Sequence, residues 1–421
     1  VEILTLEDCL RIGIDNNLSL EGKRKEIQRS KYGVSENRSK LLPQINAIAG
    51  YSNNFDPPVS VTDGSSYGVP YNITQTLQHS ANAGLEMQMP LFNQTLYTSM
   101  SIAKVMEEIS RLSYGKARED VILQISKMYY LGQVTAEQIM LIKANITRLE
   151  ELRDITQAFF DNGMSMEVDL KRVNINLENL KVQYDNAQAM MKQQLNMLKY
   201  IMDYPAEKEI ALTPVNTDSI TTVALTGLSE NIYELQLSQS QVQLAERQKK
   251  IITNGYIPSL SLTGSWRYAA YTDKGYHWFH SGPSNQWFRS YGVGLTLRIP
   301  IFDGLDKTYK IKKAMIDIEN KRLAWEDARK NLQTQYLNAV NDLMNNQRNF
   351  KKQKDNYLLA EDVYAVTSDR YREGIASMTE VLQDEMQMSE AQNNYISAHY
   401  NYRVTNLMLL KLTGQIESLV K

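Results

Sequence analysis

Cysteine is nearly absent from this sequence: Cys9 is the single one among 421 residues. That excludes an intramolecular disulfide and a thiolate metal cluster, so Cys9 reads as a small apolar residue on a helix face. Uninterrupted apolar runs are missing too. No stretch reaches 18 residues, so no transmembrane helix is predicted. Net charge is close to nothing, −2, which leaves no field for nucleic acid and no basic membrane-surface patch. No signal peptide is predicted within this sequence, and a start at Val1 without Met is expected of a processed or trimmed protein. Catalytic signatures are lacking: no nucleophile elbow, no HExxH, no P-loop. Proline is scarce, 10 in all, and two spans of about 60 residues have none.

What is present is an alternation. Tyr291, Val293, Leu295, Leu297 and Ile299 interleave with Gly292, Gly294, Thr296 and Arg298. A period of two predicts a strand with one apolar and one small or polar face. Pro300 offers no amide to a ladder and should end it. Asp303 then stands at a helix N-cap, followed by a proline-free helical span to about Arg370, roughly 100 Å long at 1.5 Å per residue.

Taken in order, Thr5 and Asp8 suggest a capping box opening a helix to about Lys40. A strand follows Leu41-Leu42-Pro43-Gln44, with Ile45, Ala47, Ala49 and Tyr51 on one face. Residues 56–79 read as a loop. Ala81, Ala83, Leu85, Met87 and Met89 form a second strand that Pro90 should stop, and a helix runs to about Phe160. Residues 203–227 read as an irregular connector, with a small strand or short helix in it. Then the order recurs. Pro258 opens a strand with Leu260, Leu262, Trp266 and Tyr268 on one face, and a loop from about Thr272 to Arg289 leads into the strand described first. Pro90-Leu91-Phe92-Asn93 matches Pro300-Ile301-Phe302-Asp303 at an offset of 210. Phe160 to Met164 matches Tyr371 to Ile375 at 211, and Pro43 matches Pro258 at 215. One unit of helix, strand, loop, strand, long helix, glycine turn and helix is expected twice. Each glycine, Gly163 and Gly374, should end a helix at C′, with Ser165 and Ser377 capping the next.

Four strands of about ten residues have the length of membrane β-strands. An open edge is not tolerated in hydrocarbon, because every unpaired backbone group there costs several kcal/mol. Four strands are too few to close a barrel, so copies must share one, as a dimer, trimer or tetramer. The apolar face would meet lipid. Asn46, Glu86, Gln88, Ser261, Thr263, Thr296 and Arg298 would line water, and Tyr67, Tyr71, Trp278 and Trp287 would sit at the outer rim. A soluble sandwich edge packed by helices is the competing fold, and it leaves the helix lengths unexplained. Leu332, Tyr336, Ala339, Val340, Leu343 and Phe350 form an apolar stripe suited to a tunnel wall.

Leu41-Leu42-Pro43-Gln44, Pro300-Ile301-Phe302-Asp303 and Arg370-Tyr371-Arg372-Glu373-Gly374, in this order and spacing, resemble the TolC family of outer-membrane efflux proteins. The resemblance covers essentially the whole chain. It implies a mainly α fold with a membrane β part: a homotrimer whose twelve strands, four per chain, make one outer-membrane barrel above a helical barrel across the periplasm. Residues 43–91 and 257–301 would be barrel strands and extracellular loops. Residues 5–42, 92–202, 228–256 and 302–414 would be the helical barrel, with 203–227 and 415–421 as equatorial segments. The implied role is the exit duct of an efflux pump or type I secretion system. The implied partners are a periplasmic adaptor protein, an inner-membrane transporter of RND or ABC type, and outer-membrane lipid, with no nucleic acid, cofactor, metal or catalytic site. The implied periplasmic constriction maps to Asp169 and Glu380, six residues past each glycine, and to Tyr371. Ala376 replaces an arginine common in the family, and Gln383 replaces a second acidic residue. The adaptor is implied to meet the hairpin tips at Gly163, Ser165, Arg370, Gly374 and Ser377. Pro43, Pro90, Pro258 and Pro300 would mark the strand–helix junctions.

Other readings are weaker. An adhesive coiled-coil protein with a β anchor is the alternative function. A carboxylate hydrolase would need a histidine or nucleophile beside its acids. His277 and His280 near Asp273 have metal-ligand spacing but no further ligand, and aromatic packing is the plainer reading. Asn72-Ile73-Thr74 is a sequon by pattern only. Asp384, Glu385 and Glu390 at helical spacing read as a wet face.

Overall fold

The computed structural model describes residues 2–57, 59–75, 77–214, 227–272 and 287–420. His277, His280, Asp273 and Trp278 lie outside them, as does part of the connector. The elements are β1 (Glu2–Leu4), α1 (Leu6–Asn16), α2 (Leu18–Ser39), β2 (Gln44–Asn53), β3 (Val59–Asp63), β4 (Tyr71–Gln75), β5 (His79–Phe92), α3 (Gln94–Asp161), α4 (Glu167–Met202), β6 (Ile210–Leu212), α5 (Tyr233–Asn254), β7 (Ser259–Thr272), β8 (Trp287–Arg298), α6 (Asp306–Arg372) and α7 (Met378–Leu412), with short 3-10 turns at Ser65–Tyr67 and Ile416–Val420. α3 and α6 have 68 and 67 residues, each about 100 Å long. None of the helices is apolar enough to cross a membrane among the described residues.

The chain divides into two compact units. One comprises residues 28–108 and 240–321, and its centre is a four-stranded antiparallel sheet in the order β2-β5-β7-β8. The register puts Ala47, Leu85, Trp266 and Tyr291 side by side, and Ile45, Met87, Gly264 and Val293 beside them. The alternating apolar residues of the four strands therefore fall on one common face, with Ile48 and Phe288 on the other. A one-residue slip anywhere would break that agreement. β2 and β8 are the sheet's edges, and neither has a further neighbour among the described residues.

Several expectations need correction in this unit. Residues 56–79 are not simple loop: β3 and β4 pair there as a hairpin. Pro90 does not stop β5, which continues to Phe92 with an irregularity between the two. Its missing amide is tolerated because β2 pairs no further than Gln88, so one side of Pro90 faces no strand. Asp303 is not directly followed by helix. Gly304 and Leu305 both adopt positive φ, 67° each, and α6 begins at Asp306. Asp303 still caps from outside, its Oδ2 accepting from Lys307 N (3.2 Å) and Lys307 Nζ (2.9 Å).

The other unit comprises residues 1–27, 109–239 and 322–421. The expected single first helix is two, broken at Asn17. That side chain caps α2 through Leu20 N (3.1 Å) and donates to Ile201 O (2.7 Å), so it ties α4 to the break. The capping box at Thr5 and Asp8 is present. The connector supplies a small strand, β6, parallel to β1. Beneath it a core gathers Leu10, Leu20, Ile122, Ile125, Tyr129, Leu198 and Met202, with Cys9 fully buried among them. The α6 stripe is buried as expected: Leu332, Tyr336, Ala339 and Leu343 pack with Leu235, Tyr402, Leu409 and Leu412.

Candidate functional site

Two glycine turns join the long helices, and their geometry is the same. Gly163 has φ +73° and Gly374 φ +77°, a region in which an L side chain is strained. At the first, Gly163 N donates to Phe160 O (2.9 Å) and Met164 N to Phe159 O (2.8 Å). At the second, Gly374 N donates to Tyr371 O (2.9 Å) and Ile375 N to Arg370 O (2.8 Å). These are Schellman closures, in which the last carbonyls of one helix are satisfied by the reversing chain. A hairpin turn of only a few residues is the result.

The following helices start differently. Ser377 and Glu380 form a complete capping box: Glu380 N donates to Ser377 Oγ (3.3 Å) and Ser377 N to Glu380 Oε2 (2.8 Å). Glu380, a candidate constriction residue, thus has one carboxylate oxygen occupied by its own helix. Ser165 does not cap. The N-cap of α4 is Met166, which makes no side-chain bond, and Ser165 Oγ is buried without a partner. Asp169 occupies the first turn of α4, where the helix dipole favours an anion. It pairs with Arg172 (3.3 Å), whose guanidinium also donates to Thr379 Oγ1 on α7 (3.3 Å). One hairpin is tied to the other by that arginine. Sequence reasoning did not single it out, although its spacing of three from Asp169 was the available signal.

Tyr371 is 6% exposed. Its hydroxyl donates to Thr156 Oγ1 on α3 (3.3 Å), and its ring lies 5.7 Å from that of Phe159. It belongs to a core with Leu149, Leu152, Val173, Leu177, Val381 and Leu382. Arg370 and Gly374 are exposed at the turn. The wet face expected at residues 384–390 is only partly so: Glu390 is exposed, whereas Glu385 is buried, and burial pushes its carboxyl up to about 7.

A second set of polar residues was not anticipated. Between α3 and α7, Asn145 Nδ2 donates to Gln392 Oε1 (2.7 Å), Tyr395 OH donates to Glu137 Oε1 (3.0 Å), and Arg403 donates to His399 Nε2 (3.0 Å) and Gln133 Oε1 (3.1 Å). His399 is fully buried under Phe350 (ring centroids 4.9 Å). Its Nε2 accepts from Arg403, and its Nδ1 lies 3.4 Å from Glu137 Oε2, with neither Nδ1 nor Oε2 having a hydrogen-bond partner among the described residues. These residues recur at helical spacing and read as a solvated face. Only the packing of α7 on α3 makes that face interior, and hydrogen-bonded pairs such as Asn145 with Gln392 and Tyr395 with Glu137 fix the register of two helices more sharply than apolar contact does.

On the sheet, the polar face carries Asn46, Glu86, Gln88, Ser261, Thr263, Thr296 and Arg298 together, as expected. Glu86 and Arg267 form an ion pair across β5 and β7. Gly84 opposite Arg267 is needed there: a Cβ would lie 2.4 Å from Trp266 O and 2.9 Å from Arg267 Cα. Pro43 and Pro258 each precede a strand by one residue, and Pro300 stands two past β8. Among the described residues no cluster of His, Cys, Asp and Glu has metal-site geometry.

Comparison with known proteins agrees with this architecture. The sequence profile of the outer membrane efflux protein family matches residues 12–202 and again 224–415. The outer membrane protein TolC of Vibrio cholerae is 21% identical over 399 residues, covering 91% of this chain and 84% of that protein. The probable efflux pump outer membrane protein TtgC of Pseudomonas putida is 23% identical over 431 residues, covering 97% and 82%. Among solved structures, CusC superposes with TM-score 0.80 at 15% identity over 97% of this chain and 91% of that one. VceC of Vibrio cholerae gives 0.76 at 14%, over 97% and 96%. With the profile spanning nearly the whole chain, this protein belongs to the outer membrane efflux protein family and is an outer-membrane efflux channel component.

Proposed function

We propose that the chain is one of three identical subunits of an exit duct, in which twelve shared strands close a barrel in the outer membrane and the long helices continue it as a tunnel through the periplasm. The two halves of the chain are copies of one unit. The profile's match to each half in turn supports this. The observation that carries the proposal is the sheet itself: four strands, two bare edges, and apolar faces in register. In β8, with 12 residues, roughly half the amides and carbonyls point away from β7. At several kcal/mol each in hydrocarbon, that edge alone exceeds the net stability of a domain. Pairing β8 with β2 of another copy removes the deficit at both edges. Residues 43–91 and 257–301 supply the barrel and its outer loops, and the helical segments supply the tunnel.

A transporter of RND or ABC type in the inner membrane drives the flow, through a periplasmic adaptor that meets the hairpin tips around Gly163, Ser165, Arg370, Gly374 and Ser377. Asp169 and Glu380 form the constriction, and Tyr371 braces it from the core. The test is direct. Detergent-extracted protein should have about three times the 48.3 kDa chain mass and conduct ions in a planar bilayer. A stable monomer would overturn the reading. For the constriction, Glu380→Gln and Asp169→Asn are better probes than alanine, because glutamine keeps the capping box. Loss of cation preference is expected, and unchanged selectivity would remove both residues from the gate.

A further inference from the structure

Glu385 stands on α7 between Leu382 and Met388 and is 5% exposed. The side chains around this level of α7 are apolar: Leu149 and Leu152 of α3, Val173 and Leu177 of α4, and Tyr364 and Tyr371 of α6. Glu385 Oε1 has no hydrogen-bond partner, and no ion pair includes the residue among the described ones. The charged groups nearby are committed elsewhere. On α3, Arg148 is held by Glu361 and the Met388 sulfur, and Glu151 pairs with Arg372 of α6. On α4, Asp169 pairs with Arg172. On α7, Glu380 closes its cap, and Asp384 is half-buried one residue away. On α6, Tyr364 is pushed up to about 12, first by its own burial and then by the field of Glu385. Among the described residues no cation neutralises this carboxyl. An isolated buried carboxylate costs far more than a buried carboxylic acid, so the packed hairpin favours the protonated form.

We propose that Glu385 is a proton-operated latch at the hairpin ends: as a neutral acid it lets α7 lie against α3 and α6, and on losing its proton it drives α7 away from them toward water. The direction follows from the shift. Burial raises the carboxyl from 4.5 to about 7. Below 4.5 the packed and opened forms are both protonated and the latch is neutral. Between 4.5 and about 7 the opened form has released a proton that the packed form keeps, so packing weakens as pH rises, and the effect levels off above 7. The tips therefore tighten in acid and loosen toward alkaline pH. The consequence for flow, though not the latch itself, rests on the reading of these tips as the gate.

The test uses the full-length oligomer in detergent. Hydrogen-exchange protection factors of amides in the first three turns of α7 are measured from pH 5 to pH 9. Protection is expected to fall with pH, most steeply between about 5 and 7, by up to about 300-fold over the whole titration. Glu385→Gln should abolish the dependence. Glu385→Leu should do the same, which guards against a packing defect peculiar to glutamine. A wild-type protein with no such dependence, or variants that retain it, would overturn the latch. Bilayer conductance over the same pH range separates the two readings. If protection titrates as expected and the current does not, the latch stands and the tips are not the gate.

Discussion

Tyr371 allows a core role for its ring to be told apart from a role for its hydroxyl at the hairpin ends. In Tyr371→Phe the ring stays against Phe159, and only the hydroxyl donating to Thr156 Oγ1 at 3.3 Å is lost. Thr156 keeps its own bond to Leu152 O (2.7 Å), so no buried group is left unpaired and the cost should be about 1 kcal/mol or less. Tyr371→Ala instead removes a ring that is 6% exposed from a cluster shared by α3, α4, α6 and α7. Aromatic truncation of that kind costs about 3–5 kcal/mol. As a local opening constant this is roughly a hundredfold to several thousandfold. The assay is limited proteolysis or hydrogen exchange at the α6–α7 turn in the purified protein. The phenylalanine variant should resemble the wild type, and the alanine variant should open the turn. If phenylalanine opens it as much as alanine does, the hydroxyl is the essential group and the core assignment is wrong. If alanine leaves protection unchanged, the ring does not hold the hairpins together.

The remaining predictions concern other levels of the chain. Gly84→Val should prevent formation of the folded oligomer, because its Cβ meets the backbone of β7, whereas Gly292→Ala should be tolerated with its nearest atom 3.9 Å away; gel mobility of unheated samples reads both. Ser377→Ala should cost about 1 kcal/mol through the lost cap, and Gly374→Ala about 1–2 kcal/mol through its positive φ alone, since no atom lies near the added carbon; hydrogen exchange at the second turn, with Gly163 as internal control, measures each. Glu119 is buried and pushed up to about 7 by that burial, against the opposing pull of Lys411. Wild-type stability should therefore fall as pH rises from about 4.5 to 7, and Glu119→Gln should recover stability at pH 8 and none at pH 4, measured by thermal denaturation at both pH values.

The strands were legible because alternation survives in any register, and the long helices because no proline interrupts them. The hairpin glycines were legible because a reversal that tight needs positive φ. Pro90 misled because proline's effect depends on whether a neighbouring strand is present on its amide side, and the end of β2 decides that. Asn17 misled because its side chain serves a helix end and α4 together. Ser165 misled because it stands two residues past its glycine, whereas Ser377 stands three past Gly374; the N-cap position three past Gly163 is Met166, and Asp169, three residues beyond it, turns to Arg172.

The sequence by itself determined the elements, their order and the face each strand offers, since local backbone preference and side-chain periodicity require no partner. Tertiary structure alone decided which polar residues are wet. Glu385, His399 and Arg403 sit on helices at the same spacing as solvated charges, and only the docking of α7 against α3 and α6 takes them out of water. Desolvation is a property of the neighbours, and the neighbours come from distant parts of the chain.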